Sequence, residues 1–128
     1  MGKACATSLA RYGIKNLALT DVNKQALVAT SDEIKGQFPE VKIEPMQLDV
    51  SDEGQMNQTV LQAVQTFGRI DVGINFAGIS GIGRTHETEE KDWLKVIDIN
   101  LNGLWRSQRA VLKAMMKQEC VLFKHCVN

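Results

Sequence analysis

Short apolar runs of strand length alternate with amphipathic stretches of helical period along this chain, and that alternation leaves few folds open. Asn16-Leu17-Ala18-Leu19-Thr20 reads as a buried strand bounded by polar residues. Asn23 to Phe38 carries Leu27, Thr30, Ile34 and Phe38 at helical spacing, and Pro39 stops it. Val41 to Val50 returns to a strand pattern (Val41, Ile43, Met46, Leu48, Val50), with Pro45 marking an expected irregularity. Ser51 is the expected cap of a helix whose stripe is Met56, Val60, Ala63/Val64 and Phe67, closed by Gly68. Ile70-Asp71-Val72-Gly73-Ile74-Asn75 predicts a third strand running into Gly78. Met1 to about Gly13 reads as a short helix ended by Gly13 in the left-handed region, and Thr88 to about Lys117 as a long one. Strands and helices alternating over short connections specify a parallel, doubly wound sheet of the α/β class. The apolar strand runs suit burial on both faces of such a sheet.

A chain of 128 residues has room for one core, and no repeat or Pro/Gly-rich linker divides it. The expected partition is a globular part over 1–118 and an atypical tail over 119–128. Lys+Arg and Asp+Glu are both 15, so there is no basic surplus to neutralise nucleic-acid phosphates. The apolar runs are too short to cross a bilayer, and Lys3 and Arg11 flank mixed sequence, unlike a secretory signal. Ala6 stands where a myristoylation pattern wants Ser or Thr, and Cys126-Val127-Asn128 is one residue short of a prenylation box. Cys5, Cys120 and Cys126 form no CxxC pair, and their odd number points to reduced thiols in a cytoplasmic protein. Cys120, His125 and Cys126 are spaced too loosely to predict a metal site.

Three segments carry a resemblance to one family. Ile74-Asn75-Phe76-Ala77-Gly78 resembles the Asn-Asn-Ala-Gly segment that ends the fourth strand of short-chain dehydrogenases/reductases, with Phe76 departing at the second position. Leu48-Asp49-Val50 resembles the family's third-strand end, where the Asp receives the adenine amino group. Trp93 and Val96-Ile97-Asp98-Ile99-Asn100-Leu101-Asn102-Gly103 resemble the helix in which an Asn supports the active site. These matches occur in the family's order over about Met1 to Met116. The resemblance implies a Rossmann-like fold, a nicotinamide dinucleotide cofactor and pairing of subunits through the helix over 88–117.

Asp21 ends the first strand about 20 residues after Gly2, the spacing at which a carboxylate reaches the hydroxyls of an adenosine ribose. A carboxylate there repels a 2′-phosphate, and Val22 and Asn23 rather than an Arg follow it, which favours NAD over NADP. The alternative role for Asp21 is to cap the helix that starts near Asn23. Gly2 resembles the last glycine of the family's phosphate-binding turn, where a helix N-terminus approaches the pyrophosphate. Asp49, Val50, Asn75, Ala77 and Gly78 join Gly2 and Asp21 as expected cofactor-binding residues, and Asn100 is the expected active-site residue. Gly78-Ile79-Ser80-Gly81-Ile82-Gly83 imitates a phosphate loop, but its first spacing is one residue short and no apolar periodicity follows. It is expected to be the loop after the third strand, where nicotinamide-ribose and substrate approach.

Hydride transfer in the family uses a Tyr as general acid/base, a Lys four residues on that lowers its pKa, and a Ser that polarises the substrate carbonyl. The sole tyrosine here is Tyr12, Asn16 stands four residues on, and no Ser follows Ser107. The resulting expectation is an incomplete Rossmann-like sheet, lacking the family's first strand and those after the fourth. The brief apolar run Cys120-Val121-Leu122-Phe123 imitates the fifth. Two functional readings follow. One is NAD-dependent oxidation or reduction of an alcohol or carbonyl on a small molecule, a biosynthetic pathway for a secondary metabolite being one setting. The other is a non-catalytic remnant that binds nucleotide weakly or acts through subunit association. A flavodoxin-like regulatory domain would need clustered acidic residues, and Asp21, Asp49 and Asp71 are dispersed.

Overall fold

Two small side chains bring the first helix onto the sheet. Ala6 and Ala10 are the buried residues of α1 (Gly2–Arg11), and their shortness lets its backbone lie close to its neighbours. The helix ends at Tyr12, and Gly13 takes the expected positive φ of 89°. β1 (Asn16–Asp21) pairs in parallel with β2 (Lys42–Gln47), in a register that sets Leu17 beside Ile43 and Asp21 beside Gln47. Between them α2 (Lys24–Gln37) buries Leu27, Ser31 and Ile34. Pro45 sits opposite Leu19 within β2, so the strand accommodates it, and pairing stops at Gln47 rather than Val50. The computed structural model describes residues 1–81 and 83–118; the expected tail over 119–128, with its Cys120–Phe123 run and its Cys120, His125 and Cys126, lies outside the described residues.

Side chains alternate across a strand, so Leu17 and Ile43 share one face of the sheet. There they join Ala6, Ala10, Ile34 and Val41 in one core cluster. Glu44 points the other way and accepts a 2.9 Å hydrogen bond from Gln62 of α3 (Glu53–Phe67). A second cluster, Leu48, Met56 and Ala110, forms on that side. The expected stripe of α3 holds, with Met56 and Ala63 buried, and Gly68 closes the helix at φ 82°. Its cap is Asp52, whose carboxylate accepts from the Gln55 N–H at 2.9 Å, and not Ser51. Ser51 is instead engaged by Asp49.

Three further expectations need correction. Burial of β1 on both faces does not occur: Ala18 and Thr20 are exposed beside buried Leu17. The segment from Ile70 to Asn75 forms no strand, because neither β1 nor any other described segment supplies a ladder beside it. It runs over the surface, so its backbone groups meet water, and the cost falls on uncovered apolar side chains such as Val72 and Ile74. The single helix from Thr88 to Lys117 is divided into α4 (Glu90–Ile97), a π-helical turn (Asp98–Gly103) and α5 (Leu104–Met115), after a three-residue 3-10 turn at Thr85–Glu87. Its outer side exposes Trp93, Leu94, Leu101, Trp105, Leu112 and Met116.

Side chains of this helical spine hold the 70–79 segment in place of a sheet ladder. The Gln118 amide donates to the Ile70 carbonyl at 2.8 Å and accepts its N–H at 2.6 Å. The Ser107 hydroxyl donates to Asn75 Oδ1, and Asn100 holds Ile79. From Ser107 the helix runs to Met115 and a turn carries the chain on to Gln118, while Ile70 to Asn75 lies alongside in the opposite sense. The two runs are antiparallel, which lets the helix and the turn after it clip the segment at successive points.

Candidate functional site

Both parallel strands end on the same edge, and each end carries a carboxylate. Asp21 closes β1 exposed to solvent, its Oδ1 accepting the Asn23 N–H at 2.8 Å. Asn23 is the true cap of α2, accepting from the Ala26 N–H at 3.0 Å, so the alternative capping role for Asp21 is not observed. The Asp21 carbonyl accepts from the Leu48 N–H at 3.1 Å, drawing the chain toward Asp49 and Val50 alongside it.

Asp49 is half-buried. Its Oδ1 accepts from the Ser51 hydroxyl at 2.7 Å and the Ser51 N–H at 2.9 Å. The hydroxyl bond, then the N–H bond, hold its carboxyl below the ordinary value of 3.8; slight burial and the Asp98 carboxylate oppose this, and Arg106 assists. The Gln55 side-chain oxygen accepts the Asp49 N–H at 3.2 Å. The remaining carboxylate oxygen has no hydrogen bond from the described residues.

The π-helical turn lies against this strand end. A Cβ at Gly103 would stand 2.7 Å from Val50 Cγ2 and 3.1 Å from Val50 Cβ, so only glycine fits there without displacement. A wider turn slips the hydrogen-bond ladder and commonly marks a functional position. Within it Asn100 presents its carboxamide to Ile79: Oδ1 accepts the Ile79 N–H and Nδ2 donates to the Ile79 carbonyl, both at 2.8 Å. A Cβ on Gly78 would come 3.3 Å from Asn100 Oδ1, closer than side chains normally tolerate. The Asp98 carboxyl is held below 3.8 chiefly by its hydrogen bond from Arg106, then by Asn102.

Asn75 and Ala77 lead into this corner along the exposed segment, with the Asn75 side-chain oxygen occupied by Ser107. Gly2 opens α1 beside Phe76, where an added Cβ would meet the ring at an ordinary 3.7 Å, so packing alone does not require glycine. Contacts thus run continuously from Asp21 through Leu48 to Val50, Gly103, Asn100 and Gly78, with Gly2 joined through Phe76. The rim is open. Two surface grooves are lined by Lys24, Gln47, Gln55 and Gln62 and by Gly73, Asn75, Val111 and Met115, and of the expected cofactor-binding residues Asn75 alone lines one of them. Past Gly83 the chain passes through Arg84 into the three-residue 3-10 turn at Thr85–Glu87, and the α-helix starts only at Glu90, Ile82 lying outside the described residues.

Several residues at this corner give no signal in the sequence. Arg106 follows Asp98 by eight positions, which in an unbroken α-helix lie about 80° and 12 Å apart. Through the π turn its Nη2 nevertheless reaches Asp98 Oδ1 at 2.7 Å. Ser107 and Gln118 look like ordinary polar helix residues until the segment they clip is in place. Tyr12 is exposed at the end of α1. Among the described residues no set of three His, Cys, Asp or Glu side chains is placed to hold a metal ion, and no helix is long and apolar enough to cross a membrane.

Parallel strands with flanking helices, ending in a carboxylate-bearing rim, define an incomplete Rossmann-like α/β unit. The family model for short chain dehydrogenases matches residues 1–120. A Neurospora crassa protein, short-chain dehydrogenase srdC, is 34% identical over 124 residues, covering 93% of this chain and 45% of the relative. The crystal structure of levodione reductase superposes with a TM-score of 0.86 at 36% identity, covering 91% of this chain and 45% of that one. An actinorhodin polyketide ketoreductase solved with NADPH gives a TM-score of 0.81 at 28% identity, over 88% and 42% of the two chains. This chain belongs to the short-chain dehydrogenase family, an oxidoreductase family, and it spans about half the length of the curated relatives it matches.

Proposed function

We propose that this chain is the nucleotide-binding part of a short-chain oxidoreductase that moves hydride between a nicotinamide dinucleotide and an alcohol or carbonyl of a small molecule. The observation that carries this reading is the shared edge on which the Asp21 and Asp49 strand ends lie. Asp21 has one carboxylate oxygen committed to Asn23, which leaves the other for the ribose hydroxyls. Asp49 receives the adenine amino group, and the Val50 backbone lies beside the base. Gly2 admits the pyrophosphate at the N-terminus of α1. Asn75, Ala77 and Gly78 flank the nicotinamide end, and Asn100 is the active-site residue there.

NAD is the preferred cofactor in this reading, because the exposed Asp21 carboxylate repels a 2′-phosphate and no arginine adjoins it. The NADPH in the actinorhodin ketoreductase structure belongs to that protein, and the choice here rests on Asp21. A second reading has its own observation: the 88–117 spine leaves Trp93, Leu94, Leu101, Trp105, Leu112 and Met116 exposed. Under it the chain binds nucleotide weakly, or acts only through subunit association by that exposed apolar side. That spine, the cytoplasm and a small-molecule substrate remain the proposed interface, compartment and ligand class.

Fluorescence titration of the purified chain with NADH and with NADPH tests the reading. Saturable binding of NADH, at least about tenfold tighter than NADPH, is the expected result, the margin being that of one charge-assisted contact. Absence of binding to either removes the nucleotide assignment. Turnover of a panel of secondary alcohols with NAD would remove the second reading in favour of an active enzyme.

A further inference from the structure

Arg106 is the one described side chain that bonds both to a nucleotide-side strand end and to the turn that carries Asn100. Its Nη2 donates to Asp98 Oδ1 at 2.7 Å. Its Nη1 lies 3.4 Å from the Asp98 carbonyl and 3.5 Å from the Val50 carbonyl. The side chain is 19% exposed, far less than the ion pairs elsewhere on the surface. Asp98 opens the π-helical turn and Gly103 closes it. The insertion that widens such a turn disturbs the regular ladder around it, and a guanidinium fork is shaped to serve two acceptors at once. Gly103 is seated on Val50, and Asn100 on Ile79.

We propose that Arg106 is a positioning residue: it clamps the π-helical turn onto the Val50 strand end, so that adenosine seated at Asp49 and Val50 is felt at the contact between Asn100 and Ile79. This rests on the nucleotide assignment above. Three ties converge on the turn: Gly103 on Val50 by shape, Arg106 on Val50 and Asp98 by hydrogen bonds, Asn100 on Ile79 by its carboxamide. A packed element of this kind shifts as a unit, because neighbours this close leave no slack for independent movement. In this proposal tightening at Val50 tightens at Ile79, and by reciprocity the Ile79 contact strengthens adenosine binding by the same factor. Lysine cannot replace the arginine here, since a single ammonium has no fork to span the Asp98 carboxylate and the Val50 carbonyl.

The test uses 5′-AMP, which carries the adenosine end alone, and reads hydrogen exchange at the Ile79 amide of the 128-residue chain. AMP is expected to slow that exchange about fivefold or more in the unmodified protein, the low end of ordinary coupling between sites. In Arg106→Met, AMP is expected to bind within about tenfold of the original affinity while the slowing disappears. Arg106→Lys, which keeps the charge beside Asp98 and provides a folded comparison if the methionine variant does not fold, is expected to lose the slowing as well. A variant that binds AMP and still slows Ile79 by the full factor overturns the proposal, as does AMP bound to the unmodified chain with no change at Ile79. If the unmodified chain binds no AMP, the nucleotide assignment falls first and this coupling with it.

Discussion

The carboxamide of Asn100 meets the backbone of Ile79 as one peptide group meets another, accepting its N–H and donating to its carbonyl, each at 2.8 Å. Asn100 lies within a π-helical turn, and Ile79 in a stretch that belongs to no strand or helix. The pairing supplies Ile79 with the ladder partners that a neighbouring strand would otherwise offer. Replacing Asn100 by Ala removes two hydrogen bonds at an exposed site, a loss of about 1 kcal/mol. The expected readout is faster hydrogen exchange at Ile79 and its neighbours, with α1, α2 and the sheet unchanged. Uniform acceleration across the chain would mean that this contact holds far more than its corner.

Gly103→Ala sets two effects against each other. Alanine favours helical backbone over glycine by about 0.5–1 kcal/mol. The added Cβ would stand 2.7 Å from Val50 Cγ2 and 3.1 Å from its Cβ, and overpacking of this sort costs about 1–3 kcal/mol. The clash wins, so thermal unfolding followed by circular dichroism is expected to show a lower Tm. A higher Tm would show that Val50 moves aside freely.

Ser31 offers the opposite outcome. It is buried on α2, and its hydroxyl has no hydrogen-bond partner among the described residues. Ser31→Ala removes that unsatisfied group and improves helix propensity, together worth about 0.5–1.5 kcal/mol. For a chain of this size that corresponds to a rise in Tm of about 2–5 °C. A fall would reveal a partner that the hydroxyl finds in solution.

Acid should weaken the corner that holds Asp49 and Asp98. Asp49 is held below 3.8 chiefly by the Ser51 hydroxyl, and Asp98 chiefly by Arg106. A carboxyl whose folded pKa is depressed stabilises the fold above its unfolded value, and that stabilisation is lost as pH falls through the folded value. Urea midpoints are therefore expected to stay level from pH 7 to about 5 and to fall below about 4. Asp98→Asn should fall less steeply over the same range. Equal slopes would show that Asp98 ionises alike in both states.

Much of this architecture is legible from residue spacing, because the core is built from local periodicity. Leu27 and Ile34, or Met56 and Ala63, announce their helices by the spacing that also buries them. Gly13 and Gly68 mark helix ends because the left-handed region excludes most other residues. Choices between neighbours are less legible: Ser51 and Asp52 are both good caps, and the engagement of Ser51 by Asp49 leaves Asp52 to do it. Ile70 to Asn75 has the composition of a strand, yet a strand exists only where a ladder partner lies beside it. The strand-end carboxylates of the site follow from pattern, whereas Arg106, Gly103 and Ser107 enter only through contacts between distant parts of the chain. The π turn escapes periodicity because Asp98–Gly103 is too short to show a period of its own.

The central claim is that Asp21, Asp49 and the Asn75–Gly78 bend form one rim that seats a nicotinamide dinucleotide. Amide NMR spectra of the labelled chain, titrated with NADH, test it most directly. Saturable shifts concentrated at Gly2, Asp21, Asp49, Val50 and Gly78, and absent from the middle of α2, are the predicted result. Shifts confined to the exposed side of α5, or none at saturating NADH, would contradict it.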